Sequence, residues 1–195
     1  MLHTISFMTE YHQNETQVKD DQAHIELALS DMANFRVLYE KYYETILHYI
    51  YQRVNSKEEA YDITSQVFLN AMVNLKKYSF RGLPFSSWLY RIAFNELNML
   101  FRKNKNRHCI NIDDTNLHEI VAELGSEQND DKHKLLIALL ASLPVDEYEH
   151  IQMRFLEKRA FAEIGEILGI TENNAKVKTY RIIDKLKQLM LKKMN

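Results

Sequence analysis

The chain has 195 residues, 46% of them hydrophobic, and a formal net charge of −2, which suffices for a core but is unusual for a protein that holds DNA unaided. Only four glycines and two prolines point to an almost wholly helical chain, and the single cysteine, Cys109, excludes an internal disulfide and fits a reducing compartment. No apolar run approaches the ~20 residues of a membrane span, and the opening MLHTISFMTEYHQ lacks the basic and apolar blocks of a secretory leader, so a cytoplasmic chain without membrane insertion is expected.

Residues 1–19 are polar and irregular and read as a loose tail. A short helix is expected over about 20–30, through Ile25, Leu27, Ala28 and Leu29. Residues 35–54 form a stronger one, with Phe35, Leu38, Tyr39, Tyr42, Ile46, Tyr49 and Ile50 in a single stripe. Ser56, with Glu59 three residues on, caps the next helix over 57–77. One of its faces carries Tyr61, Thr64, Phe68, Ala71, Met72 and Leu75 for the core. The other mixes Ile63, Leu69 and Val73 with Asp62, Gln66 and Asn70. A helix that is apolar on two sides is covered on two sides, and the interleaved polar groups would be costly in a dry core, so this second face is expected to take a partner.

The loop KYSFRGLPF, residues 77–85, is punctuated by Gly82 and Pro84 and leads at Ser86 into a helix ending near Lys105. Trp88, Leu89, Ile92 and Leu100 face inward, and Arg91, Asn95, Asn98 and Arg102 make a second stripe flanked by Tyr90, Phe94 and Phe101. Cations serve phosphates and rings serve unstacked bases, so this stripe suits single-stranded nucleic acid. From His108 to Asp131 seven acidic residues face no lysine or arginine. This segment reads as a linker with a short helix around Leu117–Leu124. His108, Cys109 and His118 are too loosely spaced for a metal.

A second domain starts at Lys132 with the stripe Leu135, Leu136, Leu139, Leu140 and Leu143, followed by a helix over 146–158. A short helix over 161–168 ends at Gly169, and Thr171 caps a longer one. In that last helix Ala175, Thr179, Ile182 and Leu186 recur on one side, leaving Asn173, Lys176, Val177, Tyr180 and Arg181 on the other. From Glu172 to Asn195 seven Lys/Arg stand against Glu172 and Asp184. A short helix, a glycine turn and a longer helix with a basic, amide-rich outer face describe a helix-turn-helix built to enter a major groove. No Gly-rich phosphate loop, metal cluster or activated nucleophile stands out, so no enzyme, cofactor or metal is expected. A stand-alone helix-turn-helix regulator, dimeric to span two half-sites, is the alternative to a protein that reads DNA with a partner.

Four stretches together carry a resemblance: FRVLYEKYYETILHYI, AYDITSQVFLNAM, PFSSWLYRIAFNELNMLFRK, and LLASLPVDEYEHIQMRFLEKRAFAEIGEILGITENNAKVKTYRIIDKL. In this order, around an acidic linker, they resemble the bacterial extracytoplasmic-function (ECF) sigma factors. The resemblance implies an all-α fold of two helical domains, region 2 over 20–107 and region 4 over 132–195, joined by the linker 108–131. It implies promoter-specific initiation with core RNA polymerase. The clamp helices of its beta-prime subunit would be met by Asp62, Ile63, Gln66, Leu69, Asn70 and Val73. The −10 element of promoter DNA would be melted and read by Lys77, Phe80, Arg81, Ser87, Arg91, Asn95, Asn98 and Arg102. The −35 element would be read by Thr171, Asn173, Asn174, Lys176, Val177, Tyr180, Arg181 and Lys185. An anti-sigma factor is a further partner that the resemblance brings with it. Val177, where a small polar residue is common, offers a methyl contact to thymine. Asn173-Asn174, Met99 and Ser65-Gln66 are further departures from the family pattern.

Overall fold

The computed structural model describes residues 15–54, 56–103, 117–124 and 130–194, and every regular element among them is helical. In chain order these are α1 (Glu15–Ser30), α2 (Phe35–Tyr51), α3 (Lys57–Asn74), α4 (Phe85–Lys103), α5 (His118–Glu123), α6 (Asp130–Ala141), α7 (Val145–Ile151), α8 (Phe161–Leu168) and α9 (Glu172–Met194). The caps follow side-chain chemistry. Ser56, in extended backbone, accepts from the Glu59 amide at 3.1 Å to open α3. Thr171 accepts from the Asn174 amide at 3.2 Å to open α9.

In the first domain α1–α4 enclose Phe35, Leu38, Ile46, Ile50, Val67, Phe68, Phe85, Leu89 and Leu97. α1 begins at Glu15, so residues 15–19 are helix and not tail. Its buried Asp21 is held by Lys41 at 2.5 Å and by the Tyr42 hydroxyl, which ties α1 to α2. Tyr61, expected in the core, is 46% exposed, and Val67 is buried instead.

The second core joins Leu117 and Ile120 to Leu136, Leu140, Ile151, Ile183 and Leu186. Leu117 and Ile120 are fully buried, so this part of the acidic stretch packs with the second domain and is no spacer. The expected single helix over 146–158 changes character. After Ile151 a π-helical turn runs over Gln152–Leu156, with the Glu157 amide bonded to the Gln152 carbonyl at 2.9 Å. Lys158 then turns the chain with φ 52°. Gly169, at φ 70°, ends α8 in the left-handed region. Gly165 lets the start of α9 approach: a Cβ there would lie 2.8 Å from the Ile170 carbonyl oxygen.

The two domains are in contact. Met153, Ile164, Ile167 and Ala175 of the second domain belong to the apolar cluster of the first, where α8 packs on α4.

Candidate nucleic-acid and polymerase interfaces

On α9 the two faces fall where the spacing predicts. Ala175, Thr179, Ile182 and Leu186 are buried, and Thr179 returns its hydroxyl to the Ala175 carbonyl at 2.8 Å. Thr171, Asn173, Asn174, Lys176, Val177, Tyr180 and Arg181 are exposed. The Tyr180 ring leans on Phe161 of α8, with centroids 5.9 Å apart, so it leaves the helix at a fixed angle. Lys185 is exposed but pairs with Glu147 of α7 at 2.6 Å. The face is a row of cations, amides and one aromatic that offers hydrogen-bond donors to base edges and to phosphates.

On α3, Leu69 is 53% and Val73 70% exposed, beside exposed Asp62 and Gln66. The two stand one turn apart and make a small apolar patch with polar neighbours. Two of the six positions expected here are drawn inward. Ile63 is half-buried against the first core. Asn70 accepts from Gln66 at 3.1 Å and donates to Glu96 of α4 at 2.7 Å, which fixes α3 on α4.

The third surface runs along the loop before α4 and up that helix. Phe80 is 47% exposed, and Lys77, Arg81, Asn95 and Arg102 are exposed too. Arg91 and Asn98 are half-buried. Arg102 donates to the Asn98 carbonyl at 3.1 Å, and Lys77 to Asn74 at 3.0 Å. Lys77, Tyr78, Arg81, Trp88 and Arg91 line a cleft of about 240 Å³. Burial, with Asp21 and Glu166 close by, pushes the Tyr78 phenol up to about 12, so it stays a neutral donor there.

The same helix departs from expectation at its first turns. Ser87, expected to face DNA, is buried and donates to Glu163 of α8 at 3.0 Å. Tyr90, expected to flank the nucleic-acid stripe, is fully buried and donates to Glu157 at 2.7 Å. Burial first, then Glu157, raises its pKa. Arg159 is buried over the Tyr90 ring and bonds Ser86 at 3.1 Å and Glu163 at 2.6 Å. Further along the junction Arg53 pairs with Glu149 through two bonds of 2.8 Å, and Tyr49 donates to the same carboxylate at 3.2 Å. Burial works to lower the Arg53 pKa, but Glu149 and Tyr49 outweigh it and leave it raised. Gln152 donates to Gln52 beside them.

Sequence reasoning missed this polar seam. The signal was in α8, where Phe161, Ala162, Ile164, Gly165, Ile167 and Leu168 leave only Glu163 and Glu166 polar. A helix that is apolar nearly all round is buried on more than one side.

Comparison with known proteins gives these surfaces a family. The model of the family Sigma-70 region 2 matches residues 38–107, and that of Sigma-70, region 4 matches residues 139–188. The ECF RNA polymerase sigma factor BldN of Streptomyces coelicolor is 30% identical over 159 residues, covering 80% of this chain and 60% of BldN. The ECF RNA polymerase sigma factor SigW of Bacillus subtilis is 28% identical over 163 residues, covering 77% of this chain and 86% of SigW. In fold the chain is similar to CnrH, solved in complex with the cytosolic domain of CnrY, with a TM-score of 0.58 and 17% identity over 87% of this chain and 96% of that one. The chain belongs to the sigma-70 family and, within it, to the ECF group of RNA polymerase sigma factors. Proteins of this family are transcription regulators. Among the described residues no helix is long and apolar enough to cross a membrane.

Proposed function

We propose that this chain, in the cytoplasm, binds core RNA polymerase and carries it to promoters whose −10 and −35 elements it reads with separate domains. The observation that carries this reading is the division of labour among three outward faces. α3 offers an apolar face, through Leu69 and Val73, that a protein partner would cover. α9 offers donors but few apolar groups, which suits a major groove. The loop before α4 offers Phe80 and Arg81 together, a ring for an unstacked base beside a cation for its phosphate.

In this reading region 2 spans 20–107 and region 4 spans 132–195. Polymerase takes Asp62, Gln66, Leu69 and Val73, with Ile63 and Asn70 supporting them from beneath. Lys77, Phe80, Arg81, Arg91, Asn95, Asn98 and Arg102 serve the −10 strand. Thr171, Asn173, Asn174, Lys176, Val177, Tyr180 and Arg181 serve the −35 duplex, and Lys185 a phosphate once it exchanges Glu147. The net charge of −2 is compatible with this, because polymerase would add affinity that the isolated chain does not need. The test is run-off transcription with purified core polymerase on a promoter library. Enrichment of a shared pair of elements is expected. Sequence-specific duplex binding by the chain alone, with no transcript when polymerase is added, would return the stand-alone regulator.

A further inference from the structure

Three positions read as −10 contacts, Arg81, Ser87 and Arg91, each end on a carboxylate of the second domain. Glu166 of α8 takes Arg91 at 2.8 Å and Arg81 at 3.3 Å. Glu163, one turn earlier on α8, takes Ser87 at 3.0 Å. Among the described residues both ion pairs of Glu166 go to the first domain. An arginine fork donates to carboxylate and phosphate oxygens by the same geometry. From this we propose that α8 is an internal stand-in for the promoter single strand: in the free chain its two carboxylates occupy the −10 face, so domain closure and strand binding exclude each other.

This inference rests on the function proposed above and adds a resting state to it. Covalent geometry makes the exclusion strict. Glu166 precedes Glu172 by six residues, at most ~20 Å of chain. Arg181 lies nine residues into α9, a further ~14 Å along the helix axis. The reading face of α9 is therefore held within roughly 40 Å of Arg91 while the carboxylates are in place. Elements centred 25 base pairs apart lie about 85 Å apart on straight duplex at 3.4 Å per step. A closed chain cannot serve both, and α8 must leave α4 for the promoter to be spanned. The seam is built so that it can part. Beside its apolar contacts it carries a row of polar ones, its outer pair through Arg81 is exposed, and among the described residues Gln152 Oε1 and Arg159 Nε are buried there without a hydrogen-bond partner.

The full chain, with Cys109→Ser and dyes on Glu58→Cys and Lys192→Cys, reports closure by energy transfer. A short labelled DNA single strand, tested separately by anisotropy, reports the −10 face. Adding single strand to the parent chain should lower energy transfer, because binding at one site and opening at the other are reciprocal. Glu166→Gln should also lower it and tighten the strand about two- to fivefold, the usual weight of a partly exposed ion pair. Exchanging the charges, Arg91→Glu with Glu166→Arg, should restore closure but not strand binding. Unchanged energy transfer and unchanged strand affinity in Glu166→Gln would overturn the proposal, as would strand binding that leaves energy transfer untouched. Open-complex formation by Arg91→Ala with core polymerase separates this from the underlying reading. If that variant melts promoters normally, the −10 assignment fails and takes the internal stand-in with it. If it is impaired while Glu166→Gln does nothing, only the stand-in falls.

Discussion

α9 and α4 each carry cations and amides at helical spacing, but among the described residues only the row of α4 is held by the other domain. Lys176, Val177, Tyr180 and Arg181 stand clear, while Ser87 is buried and Arg91 is held by Glu166. The two helices differ in where their covering comes from. The inward row of α9 is covered by α7 and α8, which immediately precede it. The outward row of α4 is met at Arg91 by a helix that lies 75 residues further on, while Asn95 and Arg102 stay exposed. Helical spacing says on which side a residue stands, and only tertiary packing says what stands opposite.

The largest effect should come from the seam that makes the two rows unequal. Arg53 and Glu149 are both buried and pair across the domain junction. Removing one member leaves a buried charge uncompensated. Arg53→Ala is therefore expected to cost the closed fold about 3–5 kcal/mol, read in urea unfolding, and Arg53→Met with Glu149→Leu should recover most of it. A shift below about 1 kcal/mol for Arg53→Ala would mean that the pair does not hold the domains together. α4 would then be as open in solution as α9.

Next in size is a change on a surface that the described residues leave exposed. Leu69→Glu should weaken core polymerase binding by at least about 2 kcal/mol, as for a central anchor of an interface. Its own folding should move by no more than about 0.5 kcal/mol, because Leu69 is exposed. A pull-down with core polymerase and a thermal melt check the two halves. A variant that unfolds would put Leu69 in the core, and one that folds and binds as the parent does would move the polymerase face elsewhere.

The comparison also marks what the sequence can show. The order of the long helices, the glycine turn, the two faces of α9 and the exposure of Leu69 and Val73 were all legible, because each depends on neighbours within one or two helices. Arg53, Glu149, Gln152, Glu157 and Arg159 were not read as a site. Their partners lie up to 100 residues away, and each alone looks like an ordinary solvated polar residue. Burial of Ser87 and Tyr90 was hidden for the same reason. Leu117 and Ile120 were misplaced because the surrounding acidic composition outweighed two apolar residues that close a core.

A smaller effect should sort the members of the α9 row. Arg181 has the fork for guanine O6 and N7, and such a contact is worth about 1–3 kcal/mol of discrimination. Arg181→Ala should relax the preferred −35 sequence in a promoter library. Lys187 lies further along α9 and suits phosphate, so Lys187→Ala should lower output on all promoters alike and weaken the salt dependence. If Arg181→Ala lost activity uniformly and kept the parent preference, α9 would not read bases with this face.

The smallest effect concerns what holds α9 beneath its reading face. His150 of α7 is buried with Nδ1 3.3 Å from the Thr179 hydroxyl. Burial, then Lys178 of α9, lowers its pKa below the ordinary 6.5, against the pull of Asp146 and Glu149. The native state therefore holds this proton less tightly than the unfolded chain does. Between the lowered value and about 6.5 the unfolded chain binds more protons, so stability rises with pH across that window and is lost as pH falls through it. One such group changes stability by at most about 1.4 kcal/mol per pH unit. Urea midpoints should fall from pH 7.5 to pH 5.5, and His150→Gln should flatten part of that slope while leaving the α4–α8 seam as it was. Proton NMR of the imidazole gives the direct check. A titration midpoint above 6.5 would reverse the sign, and the second domain would then gain from acid at the contact where α7 supports α9.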